Sequence, residues 1–343
     1  MAAAASPPEF LSDYANLAEP RLGAFLAAKA RAFEALPVDL RDAFTLLRDY
    51  LLRGGKRLRG ALVLLGCEAA GGDADDVLDA SLGLELLHAY LLIHDDFMDQ
   101  DDVRRGGPTL HRALGGDHHA ASIALLCGSL CETWAYQLVL GSGRGAGERE
   151  AAKRVAQTLE QVILGQMADL RAPRAAEMSA GAILDVQQRK TGSYTFELPL
   201  SVGATLAGGS SQVFDALAAY ARPLGLAFQI ADDLLGTFGA PEVTGKPSGN
   251  DLREGKRTLL VARALEMGPR EDAAALSAGL GSPDADISKL REIIRRSGAE
   301  QAVRDEAERL CAASVRVLES GAIPKNVAER LREIAVYTVR RAA

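Results

Sequence analysis

The sequence predicts an all-α protein, and three observations carry that expectation. Apolar residues recur at intervals of three and four, as in "LRDAFTLLRDYLL" (40–52) and "AERLREIAVYTVRR" (328–341). Alternating, strand-like segments are scarce. Aromatic residues make up only 5% of the chain while alanine is abundant, which suits close-packed helices.

The elements follow in order. The opening "MAAAASPPEF" is broken by Pro7 and Pro8 and has no basic stretch, so no signal peptide is expected there, and residues 1–15 are expected to be a flexible segment. The stretch 40–52 is amphipathic. The runs at 79–94 and 119–140 are apolar on most sides and are expected at the centre of a bundle. Loops are marked by composition at "GSGRGAGE" (141–148), "RAPRAA" (171–176) and "GLGSPDAD" (279–286). Pro199 and Pro223 fall inside helical patterns, where each should kink a helix or end one. Neither a polar linker nor a repeat of fixed period divides the chain. The expectation is one all-α domain over 1–343, built of about a dozen helices.

Composition narrows the function. A net charge of −7 opposes a nucleic-acid surface. No uninterrupted apolar run reaches the ~18 residues that a membrane span needs, so a soluble protein is expected. Cys127 and Cys131 stand four apart with no histidine pair nearby, so they read as small buried hydrophobes rather than a zinc site. Nothing suggests a disulfide framework, and the expected location is the cytoplasm.

The chemistry concentrates in "HDDFMDQDDVRRGGPTLH" (94–111), where Asp95, Asp96, Asp99, Asp101 and Asp102 fall within eight positions at the end of an apolar run. On a continuous helix Asp95 and Asp99 share a face, with Leu91 and His88 below them. A calcium-binding loop is excluded, because a twelfth position counted from Asp95 is Gly106 and from Asp99 is Leu110, where a bidentate Glu is required. A second acid pair, Asp232 and Asp233 in "FQIADDLLGTFG", ends another apolar run one turn after Gln229. Two such pairs suggest facing walls of one pocket. Hard cations would relieve their repulsion, and Mg²⁺ is commonly held by one or two carboxylates plus substrate phosphates. Short basic clusters could receive those phosphates: Lys56, Arg57 and Arg59 in "GGKRLRG", Arg104 and Arg105, Lys190 in "RKTGSY", and Lys246 and Lys256 in "TGKPSGNDLREGKRT".

These five motifs, "GGKRLR", "DDFMDQDDVRRG", "RKTGSY", "FQIADDLL" and "GKPSGNDLREGK", span 54–256 in an order that resembles the trans-isoprenyl diphosphate synthases, the polyprenyl synthetase family. The resemblance implies the isoprenoid synthase type I fold, antiparallel helices around a deep central cavity, usually in a homodimer. It also implies a reaction: an allylic prenyl diphosphate ionises and its cation alkylates isopentenyl diphosphate. By position, Asp95, Asp99 and Asp232 would bind Mg²⁺, three ions per site, with Asp96 and Asp233 supporting them. Arg104, Lys190, Lys246 and Lys256 would contact the allylic diphosphate. Lys56, Arg59, His88 and Arg105 would hold isopentenyl diphosphate. Thr191 and Gln229 resemble the positions beside the developing cation, a catalytic set completed by Lys190.

The chain departs from the family pattern in three places. Gly60 stands where proline is usual, Gly236 replaces the last acid of the second motif, and Ala240 replaces an acid common after it. Product length is expected to depend on Tyr90 and Leu91. Tyr90 lies five residues before Asp95, about 7 Å lower along a helix. An aromatic there and the compact "DDFMD" spacing resemble geranylgeranyl (C20) synthases, with farnesyl (C15) and longer products as alternatives. A terpene cyclase is opposed by the paired "GGKRLR" and "DDLL" motifs. A non-catalytic subunit of a heteromeric synthase is the non-enzyme alternative.

Overall fold

A computed structural model describes residues 6–143, 145–171, 179–239 and 249–340. The regular structure of the described residues is helical except for one two-stranded ribbon of two residues per strand. The apolar pattern of threes and fours therefore does become helix. The chain folds into two compact units, one of residues 7–153 with 199–209 and the other chiefly of 154–198 and 210–343.

In the first unit, α1 (Glu9–Ala30) begins well before residue 15, with Leu11 and Tyr14 buried. The flexible segment expected over 1–15 is thus corrected from Glu9 onward: an apolar stripe there packs, and Pro7-Pro8 ends just outside the helix. In α2 (Val38–Leu52) the buried residues are Ala43, Phe44, Leu47, Tyr50 and Leu51, one stripe at helical spacing. α3 (Leu58–Ala69) is buried almost all round. It meets residues 199–209 backbone to backbone, since a Cβ on Gly66 would lie 2.1 Å from the Leu200 oxygen, and one on Gly203 would lie 1.9 Å from the Val63 oxygen.

α4 (Leu78–Met98) packs along α6 (His118–Leu140), with the short α5 (Leu110–Ala113) between them in sequence. Asp117 caps α6 by accepting from Ala120 N at 2.8 Å. Both long helices, Ala74–Met98 and His118–Leu140, are long and apolar enough to cross a membrane, which corrects the expectation that none would be. Of the most apolar window, 72% is buried in the first but only 39% in the second. α6 is therefore a helix with one outward apolar face, not the wholly central helix expected, and Leu126 is 62% exposed on it.

The ribbon β1 (Val103–Arg104) and β2 (Gly107–Pro108) is closed by Arg105 and Gly106, both with positive φ, 51° and 71°. Such a pair makes the tight turn whose twist matches two short strands. It fixes the arginine pair in space immediately after the first acid cluster.

α7 (Ala146–Arg171) begins in the first unit and continues into the second. In the second unit, α8 (Ala180–Gln187) leads into a ten-residue π-helix over Gln188–Glu197. α9 (Leu198–Leu206) follows and belongs to the first unit from Pro199 on. Pro199 is the second residue of α9, next to the change from π-helix to α-helix, and interrupts no helix there. α10 (Ser211–Phe238) passes through Pro223 unbroken, so Pro223 ends no helix. α11 (Asn250–Arg253), α12 (Leu259–Met267), α13 (Arg270–Gly279), α14 (Ile287–Arg296), α15 (Ala299–Val317) and α16 (Lys325–Arg340) complete the second unit. Its core joins Ile230 and Leu234 of α10 to Leu260, Leu276, Ile294 and Val303. Tyr220 in α10 donates to the Leu331 oxygen of α16 at 2.7 Å.

All four cysteines are buried. Burial raises the Cys127 thiol to about 11 and the Cys131 thiol further still, which suits packing rather than ligation.

Candidate active site

The loop before α3 is built by its glycines. Gly54 and Gly55 have φ of 81° and 142°, and a Cβ on Gly55 would press to 3.0 Å from the Arg105 guanidinium carbon. Without side chains there, Arg105 can lie along the loop and donate to the Gly54 oxygen at 2.7 Å. Arg57 follows in a left-handed conformation, φ 45°. Its guanidinium is buried, donates to the Leu51 oxygen at 2.9 Å and stands 3.6 Å from Glu85 in α4. Lys56 is exposed and Arg59 buried on either side of this corner.

His88, one turn after Glu85, lies within electrostatic reach of Arg59, Arg105, Arg104 and Arg57. Burial first, and then those four cations, hold its imidazole well below 6.5, so it is neutral near pH 7. A neutral imidazole can donate one hydrogen bond without adding to the charge. The structure thus gathers Arg57, Arg59, His88, Arg104 and Arg105 from three separate segments into one basic site, fit for an anion.

The Asp99 N–H donates to the Asp95 oxygen at 2.8 Å, so helical geometry persists to the end of the acid motif. Asp95 and Asp99 therefore share a face, and both are part-exposed. Asp96 points the other way. It is fully buried, accepts from Arg104 Nε at 2.7 Å and from the Tyr50 hydroxyl at 3.2 Å, and is flanked by Asp101, which Arg104 also reaches at 3.0 Å. By sequence Asp96 groups with the metal acids. In the structure it is instead the buried anchor of Arg104, because its carboxylate is turned inward onto Arg104 and Tyr50 while Asp95 and Asp99 stay part-exposed.

The second acid pair divides in the same way. Asp232 is part-exposed, whereas Asp233 is buried and accepts from Gln229 at 2.9 Å and from Gln187 at 2.6 Å. Burial, and then Asp251 and Asp232, push the Asp233 carboxyl well above the usual carboxylate range. Asp233 is accordingly a held group, not an open ligand, and Gln229 is one of the groups that hold it.

Lys190 and Thr191 lie on the π-helix, a distortion frequent at functional sites that spacing alone does not signal. Lys190 pairs with Asp169 of α7 at 2.7 Å, and a Cβ on Gly165 would come 2.6 Å from the Lys190 backbone nitrogen. Lys256 pairs with Glu254 at 2.7 Å and lies 3.9 Å from Asp251. Lys246 and Ala240 lie outside the described residues.

Tyr90 is nearly buried in the seam of α4 and α6. Its ring is 4.6 Å from that of His94, whose Nε2 lies 3.1 Å from the Leu125 oxygen, and Glu132 and Tyr136 of α6 face it electrostatically. Leu91 is part-buried on the face that carries Asp95.

The fit to a hard cation is a matter of donor chemistry. Asp95, Asp99 and Asp232 offer carboxylate oxygens only, the donors that Mg²⁺ prefers. Among the described residues no three acids, histidines or cysteines converge on one point. Each acid motif, taken by itself, would thus provide part of a coordination shell and a phosphate ligand the remainder.

Residues 42–296 match the family model for polyprenyl synthetase, which is most of the chain. The chain belongs to the polyprenyl synthetase family. This synthetase is 35% identical over 304 residues to the short chain isoprenyl diphosphate synthase of Methanothermobacter thermautotrophicus, covering 87% of this chain and 90% of that protein. It is 35% identical over 298 residues to the (2E,6E)-farnesyl diphosphate synthase of Mycobacterium bovis, covering 84% and 80%. It superposes with a TM-score of 0.91 and 37% identity on a geranylgeranyl pyrophosphate synthase from Corynebacterium glutamicum, complexed with isoprenyl diphosphate and magnesium, covering 96% and 99%. The all-α isoprenoid synthase fold and the trans-prenyltransferase class expected from the motifs are both met. Products differ among these relatives, so kinship fixes the chemistry more firmly than the chain length.

The Gly236 departure has a structural reason. A Cβ at 236 would lie 2.0 Å from Asp251 Oδ2, and the Gly236 oxygen accepts from Gly249 N at 3.1 Å. The carboxylate of Asp251 occupies the space that a side chain at 236 would need. Restoring the family acid with Gly236→Asp should therefore destabilise the synthetase, by about 1–3 kcal/mol through overpacking alone. Thermal unfolding checks this, and the loss should shrink when Asp251→Ala is added; equal losses with and without Asp251 would refute it.

Proposed function

We propose that this synthetase condenses an allylic prenyl diphosphate with isopentenyl diphosphate by 1′-4 alkylation, with geranylgeranyl diphosphate (C20) as its principal product. The observation that carries the reading is the gathering of Arg59, His88 and Arg105 in one basic site, with Arg104 nearby on the buried Asp96 of the first acid motif. A site for a second diphosphate is what a prenyl-chain-extending enzyme needs and a terpene cyclase does not.

In this reading Lys56, Arg59, His88 and Arg105 bind isopentenyl diphosphate. Arg104, Lys190, Lys246 and Lys256 bind the allylic diphosphate, and Asp95, Asp99 and Asp232 hold the magnesium ions, three per site. Bound Mg²⁺ would neutralise the charge that collects on the departing diphosphate. The chain's own cations add to that effect, since they are already in place when the C–O bond breaks. The C–O electron pair leaves with diphosphate. The allylic cation then takes the alkene electrons of isopentenyl diphosphate to form the new C–C bond, and a proton departs to the released diphosphate. Thr191 and Gln229 stand beside the cation, with Gln229 kept in place by its bond to Asp233. Asp96, through Arg104, orients the guanidinium that meets the substrate.

The C20 product rests on Tyr90. Its ring is braced by His94, so it is a firm stop rather than a mobile one. Products made from radiolabelled isopentenyl diphosphate with C5, C10 and C15 primers should end at C20, and Tyr90→Ala should lengthen them by at least one C5 unit. A C15 end would move the stop earlier; no product with any primer would support the non-catalytic subunit. The protein is also read as a cytoplasmic homodimer, with the outward apolar face of α6, including Leu126 and Leu140, as the seam. The same preparation should run on a sizing column at twice the mass of the chain, and a monomer would remove the seam.

A further inference from the structure

We propose that Glu85 is a positioning residue for the isopentenyl diphosphate half of the site, acting through Arg57 and Gly60. This role rests on the assignment of Lys56 and Arg59 to that substrate. Glu85 is a lone acid in the apolar run of α4, and its side chain is buried. A carboxylate in such a place is costly unless it is both paired and hydrogen-bonded. Here one oxygen accepts from the Gly60 N–H at 2.8 Å and the other stands 3.6 Å from the buried Arg57 guanidinium.

Both contacts fall on the segment that carries the two binding cations. Arg57 lies between Lys56 and Arg59 and adopts the left-handed conformation, which a side chain other than glycine, Asn or Asp seldom takes. Something must hold it there. Glu85 supplies one hold on its guanidinium and the Leu51 oxygen the other. Gly60 is the third residue of α3, so its N–H has no partner within the helix. Glu85 satisfies it from α4. The carboxylate thereby ties the corner and the first turn of α3 at two points, one on each side of Arg59.

His88 belongs to the same tie. It follows Glu85 by three residues on the same helix and so shares its face. The same turn of α4 that anchors the loop also presents the imidazole. Glu85 thus sets the distance between the loop cations and His88, and its own charge offsets part of the repulsion among the arginines gathered there.

The test is steady-state kinetics of Glu85→Gln and Glu85→Ala with both substrates. Glu85→Gln keeps an acceptor for Gly60 and loses the charge facing Arg57; Glu85→Ala loses both. The expected result is a KM for isopentenyl diphosphate raised about fivefold in Gln and at least tenfold in Ala, with the KM for the allylic primer within twofold of the parent. Glu85→Asp should recover part of the effect if the second oxygen still reaches Arg57. Should Ala fail to fold, the folded Gln variant decides alone. Equal rises in both KM values, or no change in a folded Gln variant, would overturn the proposal. Lys56→Ala separates the two levels: if it leaves the KM for isopentenyl diphosphate unchanged, the substrate assignment fails and not the coupling to Glu85.

Discussion

Asp95→Ala should lower turnover by about three orders of magnitude or more while the helical circular dichroism stays that of the parent. Asp95 is part-exposed at the end of α4 and contributes nothing to the core of the first unit, so little stability is at risk. It shares its face with Asp99, and two carboxylates at that spacing can hold a cation that the substrate's phosphates complete. Losing one leaves a single ligand. The adjacent acid provides the contrast. Asp96→Ala would strip Arg104 and Tyr50 of a buried partner, so it should lower the unfolding midpoint as well as turnover, whereas Asp95→Ala lowers turnover alone. The two variants, measured by turnover and by thermal unfolding, should separate cleanly. Near-normal turnover in Asp95→Ala would sink the functional assignment.

How much of this is legible in the sequence depends on the residue. Helical periodicity is enough for the fold, because a stripe such as Ala43, Phe44, Leu47, Tyr50 and Leu51 has one way to be buried. The i, i+4 geometry of Asp95 and Asp99 is legible for the same reason. Contacts between segments distant along the chain are not. Asp96 reads like its neighbours until Arg104 and Tyr50 are seen to meet it. Gln187, Asp169 and Asp251 carry no local signal that they face Asp233, Lys190 and Gly236. The π-helix under Lys190 and Thr191 likewise escapes any template of 3.6 residues per turn. Glu85 does carry a visible sign, as a single acid in an apolar run. At the N-terminus the Pro7-Pro8 break suggests a loose segment, yet the stripe of Leu11 and Tyr14 just beyond it buries and decides the outcome.

Gly60→Pro should destabilise the protein by about 3–5 kcal/mol, although proline is the residue its family usually carries there. The backbone itself raises no objection. Gly60 is the third residue of α3, where an N–H is not needed for the helix and proline is tolerated. The cost arises from two neighbours. A Cβ at 60 would lie 1.8 Å from the Tyr14 hydroxyl, which is fixed by a 2.9 Å hydrogen bond to Ser81 in the interior. Proline would also remove the N–H that satisfies Glu85. Gly60→Ala keeps that N–H and meets only the steric conflict, so its loss should be the smaller of the two. Tyr14→Ala should relieve Gly60→Ala more completely than Gly60→Pro, since it makes room but returns no donor to Glu85. Urea unfolding of the three single variants and the two doubles measures each part. If Gly60→Pro proves as stable as the parent, α1 does not hold Tyr14 over α3, and the two-point tie by Glu85 loses its second anchor.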